Sequence, residues 1–124
     1  MTKLEYGETP EFSHLMKRLT RRFRSLPEDL ETVKKAAIEL LHVQGIDNKS
    51  CYKLQGHENQ RCEFYKVKKF ACKALKGKGI QSGIRLIYAY HRDQGLIVFI
   101  EIYYKGDQKN ESLTLIEKYL SRIA

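Results

Sequence analysis

Residues 82–107 read Ser82-Gly83-Ile84-Arg85-Leu86-Ile87-Tyr88-Ala89-Tyr90, then His91-Arg92-Asp93-Gln94-Gly95, then Leu96-Ile97-Val98-Phe99-Ile100-Glu101-Ile102-Tyr103-Tyr104-Lys105-Gly106-Asp107. β-Branched and aromatic residues fill both flanks, and Asp93-Gln94-Gly95 is a turn signal. The stretch therefore reads as a hairpin of strands over about 82–91 and 95–104. Alternation sorts the faces. Ile84, Leu86, Tyr88 and Tyr90 share one side of the first strand, and Arg85, Ile87, Ala89 and His91 share the other. On the second strand Val98, Ile100, Ile102 and Tyr104 oppose Ile97, Phe99, Glu101 and Tyr103. The all-apolar set is expected to form the core under the helices. A register joining Arg85 to Glu101 and Tyr103 makes a groove on the opposite face, and a slip of one residue exchanges the two.

Upstream, a third strand is expected over about 63–75, joined to the hairpin by Lys76-Gly77-Lys78-Gly79, with Cys51-Tyr52-Lys53-Leu54 as an edge strand in an otherwise loop-like 46–62. From 61 to 79 there are seven basic residues (Arg61, Lys66, Lys68, Lys69, Lys73, Lys76, Lys78) against one acid, Glu63, a net +6 of the chain's formal +8. These lysines alternate with Phe64, Tyr65, Val67, Phe70 and Leu75, so they belong to a sheet. A sheet presenting many cations calls for a polyanion opposite it, and RNA is the leading candidate.

Towards the N-terminus, residues 2–6 suggest a short strand with Leu4 and Tyr6 on one face. Thr9-Pro10 then opens a helix as N-cap and first helical residue. Phe12, Leu15, Met16, Leu19 and Phe23 form its apolar stripe. Lys17, Arg18, Arg21, Arg22 and Arg24 fill the rest, either as a solvated face or as a second nucleic-acid surface. Ser25 and Glu28 have capping-box spacing, with Glu28, Asp29 and Glu31 near the positive helix end. The second helix buries Leu30, Val33, Ala37, Leu40 and Leu41 and stops at Gly45. A last helix carries Leu113, Ile116, Leu120 and Ile123 on one face. The order gives an α+β fold: a helical hairpin packed on a mainly antiparallel sheet, then a C-terminal helix, in one domain over 1–124.

At 42% hydrophobic residues, 124 positions suffice for one core. No apolar run approaches membrane-spanning length, and the N-terminus has no signal-peptide character, so the expected location is the cytoplasm and no membrane partner is expected. Cys51, Cys62 and Cys72 are odd in number and lack metal-knuckle spacing, so packed, reduced thiols are expected and no metal site. His14, His42, His57 and His91 are scattered, and only His91 lies near the groove. Arg85 is the residue to single out. Embedded in an apolar strand, it either pairs with Glu101 or clamps a phosphate with its guanidinium.

The strand Gly83-x-Arg85-Leu86-x-Tyr88, the strand 96–107, Leu4-Glu5-Tyr6, Phe12 and the helical segment Leu19 to Leu30 resemble the RelE/ParE superfamily of toxin–antitoxin toxins over most of the chain. The resemblance implies a small endoribonuclease that cleaves mRNA on the ribosome and inhibits translation, without metal or cofactor. A cognate acidic antitoxin would silence it. The RNA 2′-hydroxyl attacks the adjacent phosphorus, leaving a 2′,3′-cyclic phosphate and a 5′-hydroxyl. Arg85 carries over as the phosphate-stabilising arginine. Lys73 and Lys76, with Lys69 as alternate, stand nearest the family's lysine pair, and Lys105 or Lys109 stands for the cation after the last strand. Lys66, Lys68, Lys69 and Lys78 would add RNA contacts. Some members place a tyrosine or histidine at the start of the last helix or at the chain end. Here the former reads Gln108-Lys109-Asn110-Glu111-Ser112, and Tyr119 is too far along. Tyr103, Tyr104 or Glu101 is left as general base. A non-catalytic, gyrase-inhibiting toxin of the same fold and a double-stranded-RNA-binding module are the alternatives, the latter weakened by the two-helix N-terminal half.

Overall fold

Five strands form one sheet in the order β1-β5-β4-β3-β2, with helices on both faces. The structure is a computed structural model, describing residues 3–57, 59 and 61–123. In chain order the elements are β1 (Glu5–Glu8), α1 (Pro10–Arg22), α2 (Leu26–Val33), a π-helical segment (Lys34–Glu39), α3 (Leu40–His42), β2 (Cys51–Lys53), β3 (Glu63–Val67), β4 (Ile84–His91), a 3-10 turn (Arg92–Gln94), β5 (Leu96–Tyr104) and α4 (Leu113–Ile123). β1 runs parallel to β5, and the pairings among β2, β3, β4 and β5 are antiparallel. The mainly antiparallel α+β reading therefore holds. Of the strand expected at 2–6, residue 2 lies outside the described residues, and β1 begins three residues later than expected.

Local chemistry explains most of these elements. The Thr9 hydroxyl accepts from the Phe12 amide at 3.1 Å and caps α1, with Pro10 in its first turn. The stripe Phe12, Leu15, Met16, Leu19 and Phe23 packs into the larger core. Gly95, at φ 60°, closes the β4–β5 connection as a left-handed residue. All three cysteines are buried free thiols, and burial pushes Cys51 and Cys62 up to about 11.

The capping box at Ser25 does not form. Ser25 precedes α2 with φ −78° and ψ −6°, in place of the extended backbone of a capping box, and its hydroxyl donates to Asp29 at 2.6 Å and accepts from the Ala74 amide at 2.8 Å. Glu28 instead pairs with Lys73. In the second helix a π-helical turn shifts the buried side, so Ile38 is wholly buried while Leu40 is not part of the core cluster. In α4, Leu113 is 53% exposed, and Tyr119 is buried in its place beside Ile116.

The faces of β4 follow alternation. Ile84, Leu86, Tyr88 and Tyr90 meet α1 and α2, whereas Ile87 and Ala89 meet α4. β5 departs from it. Ile87 pairs with Glu101 but Tyr88 pairs with Phe99, leaving Ile100 as an extra, bulged residue. Ile97, Phe99 and Ile102 therefore face α1 and α2, while Val98, Ile100 and Tyr103 face α4. The expected apolar set Val98, Ile100, Ile102, Tyr104 is split between two cores.

Candidate nucleic-acid interface

Where β3, β4 and β5 lie side by side, cross-strand pairing brings one row of polar residues onto the α4 face. Tyr52 pairs with Lys66, Lys66 with Ile87, and Ile87 with Glu101. In the adjoining row Arg85 pairs with Tyr103. Lys68 follows β3 directly, and its carbonyl accepts from the Arg85 guanidinium at 3.1 Å. The Lys105 amide donates to the Gly83 carbonyl at 2.8 Å, which sets Lys105 beside the start of β4. Gly83 has φ 87°, and a Cβ there would meet the Tyr104 ring at 3.2 Å, so glycine is the residue this close approach admits.

Arg85 is half-buried, and its hydrogen bonds go to the backbone carbonyls of Lys68 and Ile84. Among the described residues no carboxylate pairs with it. The ion pair with Glu101 does not form, because both Glu101 oxygens are taken: Oε1 accepts from the Ser112 amide at 2.8 Å and Oε2 from the Gln108 amide group at 2.7 Å. Glu101 is 2% exposed, and burial raises its carboxyl above the usual range. It anchors the loop that leads into α4.

The Tyr103 hydroxyl is buried and has no hydrogen-bond partner among the described residues. Burial pushes the Tyr103 phenol above its ordinary pKa, with the Lys66 ammonium, 6.0 Å from the ring centre, working against that rise. Lys66 is itself tied to Glu111 at 2.8 Å. Burial disfavours the charge on Lys66, yet Glu111 and Tyr103 outweigh it and hold the ammonium above its ordinary range. Lys68 is exposed, with its ammonium 4.6 Å from the centre of the Tyr52 ring, which is 39% exposed. Tyr52 escaped the sequence reading, although its place between buried Cys51 and Lys53 on an edge strand was a usable signal.

Other expected positions lie elsewhere. β3 ends at Val67, so Lys73 and Lys76 are in the loop 68–83 and not on a strand. Phe70 and Cys72 plug that loop into the α1–α2 core, and the Lys73 amide donates to Asp29 at 3.2 Å. The Lys73 ammonium ends 2.5 Å from Glu28, on the α2 side of the sheet. Lys76 and Lys78 are exposed in the turns around Gly77 and Gly79. Lys69 donates to the Asn48 carbonyl at 3.2 Å. Lys109 is exposed in the loop before α4. His91 stands at the far end of β4, six residues or about 20 Å from Arg85, buried against the Tyr119 hydroxyl. It is not near the groove. Among the described residues no group of three or more His, Cys, Asp or Glu is arranged to hold a metal ion, and no helix is long and apolar enough to cross a membrane.

No family model matches the chain, and no curated protein matches it. Among solved structures it is similar to a chain of the archaeal RelE–RelB complex from Pyrococcus horikoshii OT3, at a TM-score of 0.49 and 11% identity. That alignment covers 85% of this chain and 98% of the other.

Proposed function

We propose that this protein is the toxin of a toxin–antitoxin pair and acts as an endoribonuclease on mRNA at the ribosome. The observation that carries the reading is Arg85. A half-buried guanidinium without a carboxylate partner among the described residues, on the central strand and flanked by Lys68 and Lys105, has an anion-sized need. The neighbouring exposed Tyr52 offers a ring on which an unpaired base can stack, which suits single-stranded RNA. With the scissile phosphate against Arg85, the 2′-oxygen bonds to phosphorus and the P–O5′ bond breaks. The 2′ proton passes to water and the departing 5′-oxygen takes one from water. Arg85, Lys68 and Lys105 stabilise the extra negative charge of the phosphorane-like transition state. The Tyr103 phenol, kept protonated by burial, donates to a phosphate oxygen.

The same site supports a second reading. Glu101 is fully engaged, Tyr103 is held protonated, and Tyr104 packs against Phe23 on the α1–α2 face away from Arg85, so none of the three groups offered as general base is placed to take a proton. That favours a toxin that binds without chemistry, as the gyrase-inhibiting branch does. The parallel β1 and the second N-terminal helix, by contrast, are elements that a double-stranded-RNA-binding module lacks. Induced expression decides between the toxins. Translation arrest with RNA fragments ending in 2′,3′-cyclic phosphate supports the nuclease, and DNA damage with translation intact rejects it.

A further inference from the structure

The cations of α1 are the largest group of charges that the Arg85 site does not use. Eight ion pairs are distributed over the described residues, and Arg22–Asp107 is the one that takes a cation from this helix. Lys17 and Arg21 have none among the described residues, nor does Arg24 just past the end of the helix. All three line one open groove of about 580 Å³, with Glu8, Ser13, Met16, Thr20 and Pro27. Its one carboxylate, Glu8, already accepts a hydrogen bond from the Ser13 hydroxyl. Helix ends favour basic residues through the backbone dipole, which accounts for Arg21 and Arg22 but not for Lys17 in mid-helix. Thr20 Oγ1 is buried with no hydrogen-bond partner among the described residues, a cost that a bound group could remove.

We propose that the groove of Lys17, Thr20, Arg21 and Arg24 binds the sugar–phosphate backbone of double-stranded RNA, at a place separate from the Arg85 site. The lining decides the chemistry. It holds three cations but no aromatic ring, so unpaired bases have nothing to stack on, and its apolar members, Met16 and Pro27, are too few to anchor a peptide. Lys17 and Arg21 are about 6 Å apart along the helix axis, within reach of neighbouring phosphates of one strand. Thr20 Oγ1, closed to solvent in the free protein, gains a partner when its side chain turns into the groove, and a 2′-hydroxyl, both donor and acceptor, supplies one that DNA lacks. α1 packs on the sheet face opposite Arg85, so the two surfaces engage different RNA segments. This rests on the proposed function only in naming RNA as the polyanion.

The test measures binding of the full-length protein to an RNA hairpin stem, a DNA hairpin of the same sequence and a short single-stranded RNA, across a salt series. The variants are K17A/R21A/R24A, T20V and R85A, each checked for an unchanged unfolding midpoint. The triple variant is expected to lose about tenfold or more in stem affinity, with its salt slope reduced by about 2 to 3. R85A should keep stem binding and lose affinity for the single strand, and T20V should narrow the preference for RNA over DNA. Stem affinity and salt slope unchanged in the triple variant overturn the proposal, as does equal or tighter binding of the DNA stem, or failure of the stem to bind while an acidic peptide does. RNA cleavage by the triple variant bears on the Arg85 site alone, so either reading can fail without the other.

Discussion

Arg85 shows how a single residue can be informative before any coordinates exist. An arginine inside Ile84-Arg85-Leu86 must have a partner, and that much was legible. Which partner was not, because Glu101 is two residues from Tyr103 on the facing strand and its carboxylate is spoken for by Gln108 and Ser112. Replacing Arg85 with Ala should leave the unfolding midpoint unchanged, since the guanidinium bonds only to backbone carbonyls at a half-exposed site. The same change should cut cleavage and growth arrest by about 100-fold or more, as loss of one transition-state contact of about 3 kcal/mol implies. A folded, fully toxic Arg85→Ala protein would remove the residue from the mechanism. His42 makes a second, unrelated case. It packs against the rings of Tyr65, Tyr88 and Tyr90 and bonds the Tyr88 hydroxyl at 2.7 Å. Burial, then the charge of Arg92, lowers it to about 4, with Glu63 opposing. Its folded value lies below the ordinary one of about 6.5, so the unfolded chain binds the proton more readily. Stability from this group is therefore complete above about 6.5 and falls as pH drops towards 4. Chemical denaturation of the native protein and of His42→Gln at pH 7 and pH 4.5 should show the gap between them move by on the order of 2 kcal/mol against the native protein. A constant gap would mean that His42 does not titrate in this window.

At the scale of elements, legibility tracked how local the cause was. α1 was readable because Thr9, Pro10 and the stripe from Phe12 to Phe23 act within one helix. The edge strand at Cys51 and the stop at Gly45 were readable for the same reason. Non-local causes were not. β3 ends at Val67 because Phe70 and Cys72 are pulled into the α1–α2 core and the Asp29 carboxylate and Ser25 hydroxyl hold the amides of Lys73 and Ala74. Nothing in the lysine-rich sequence announces that docking, so the strand expected to run to 75 stops eight residues early. The bulge at Ile100 is similar: every residue from Leu96 to Ile102 but Glu101 is apolar, so alternation has no polar markers to reveal a change of face. The π-helical turn over Lys34–Glu39 left its trace only in which aliphatic is buried. This yields a direct check. Ile38→Ala should cost about 2 to 5 kcal/mol as a fully buried aliphatic truncated in the core. Leu40→Ala, at a position that a regular helix would bury, should cost well under half of that. Equal losses at the two positions, measured by denaturant unfolding, would show that the helix keeps regular α register through this segment.

Over the whole molecule, charge is divided unevenly, and the division separates structural from available cations. Glu11 holds Lys118 and Arg122, and Glu63 holds Lys53 and Arg92, so these ion pairs tie α4 to α1 and fasten the sheet end near the β4–β5 turn. At the opposite end Lys68, Arg85 and Lys105 take part in no ion pair among the described residues. The donor set there is ammonium and guanidinium, with the nearby carboxylates Glu101 and Glu111 already engaged. Cleavage should accordingly persist in excess chelator. Loss on chelation that added metal restores, in an assay free of ribosome dissociation, would contradict this. Under the proposed function, these unpaired cations also dictate what can silence the protein. A partner must cover Lys68, Arg85 and Lys105, and electrostatic complementarity requires that it be acidic there. An acidic segment, disordered when free and folding against this end as a helix or an added strand, meets that need. Exposed charges steer encounter more than they hold the complex, so the association rate should fall steeply between low and high salt while dissociation changes little. Charge reversal at Lys68 and Lys105 should slow association at low salt and flatten its salt dependence. An inhibitor whose association rate is flat with salt, or one that leaves Arg85 accessible to RNA in the complex, would place the silencing contact on another surface of the molecule.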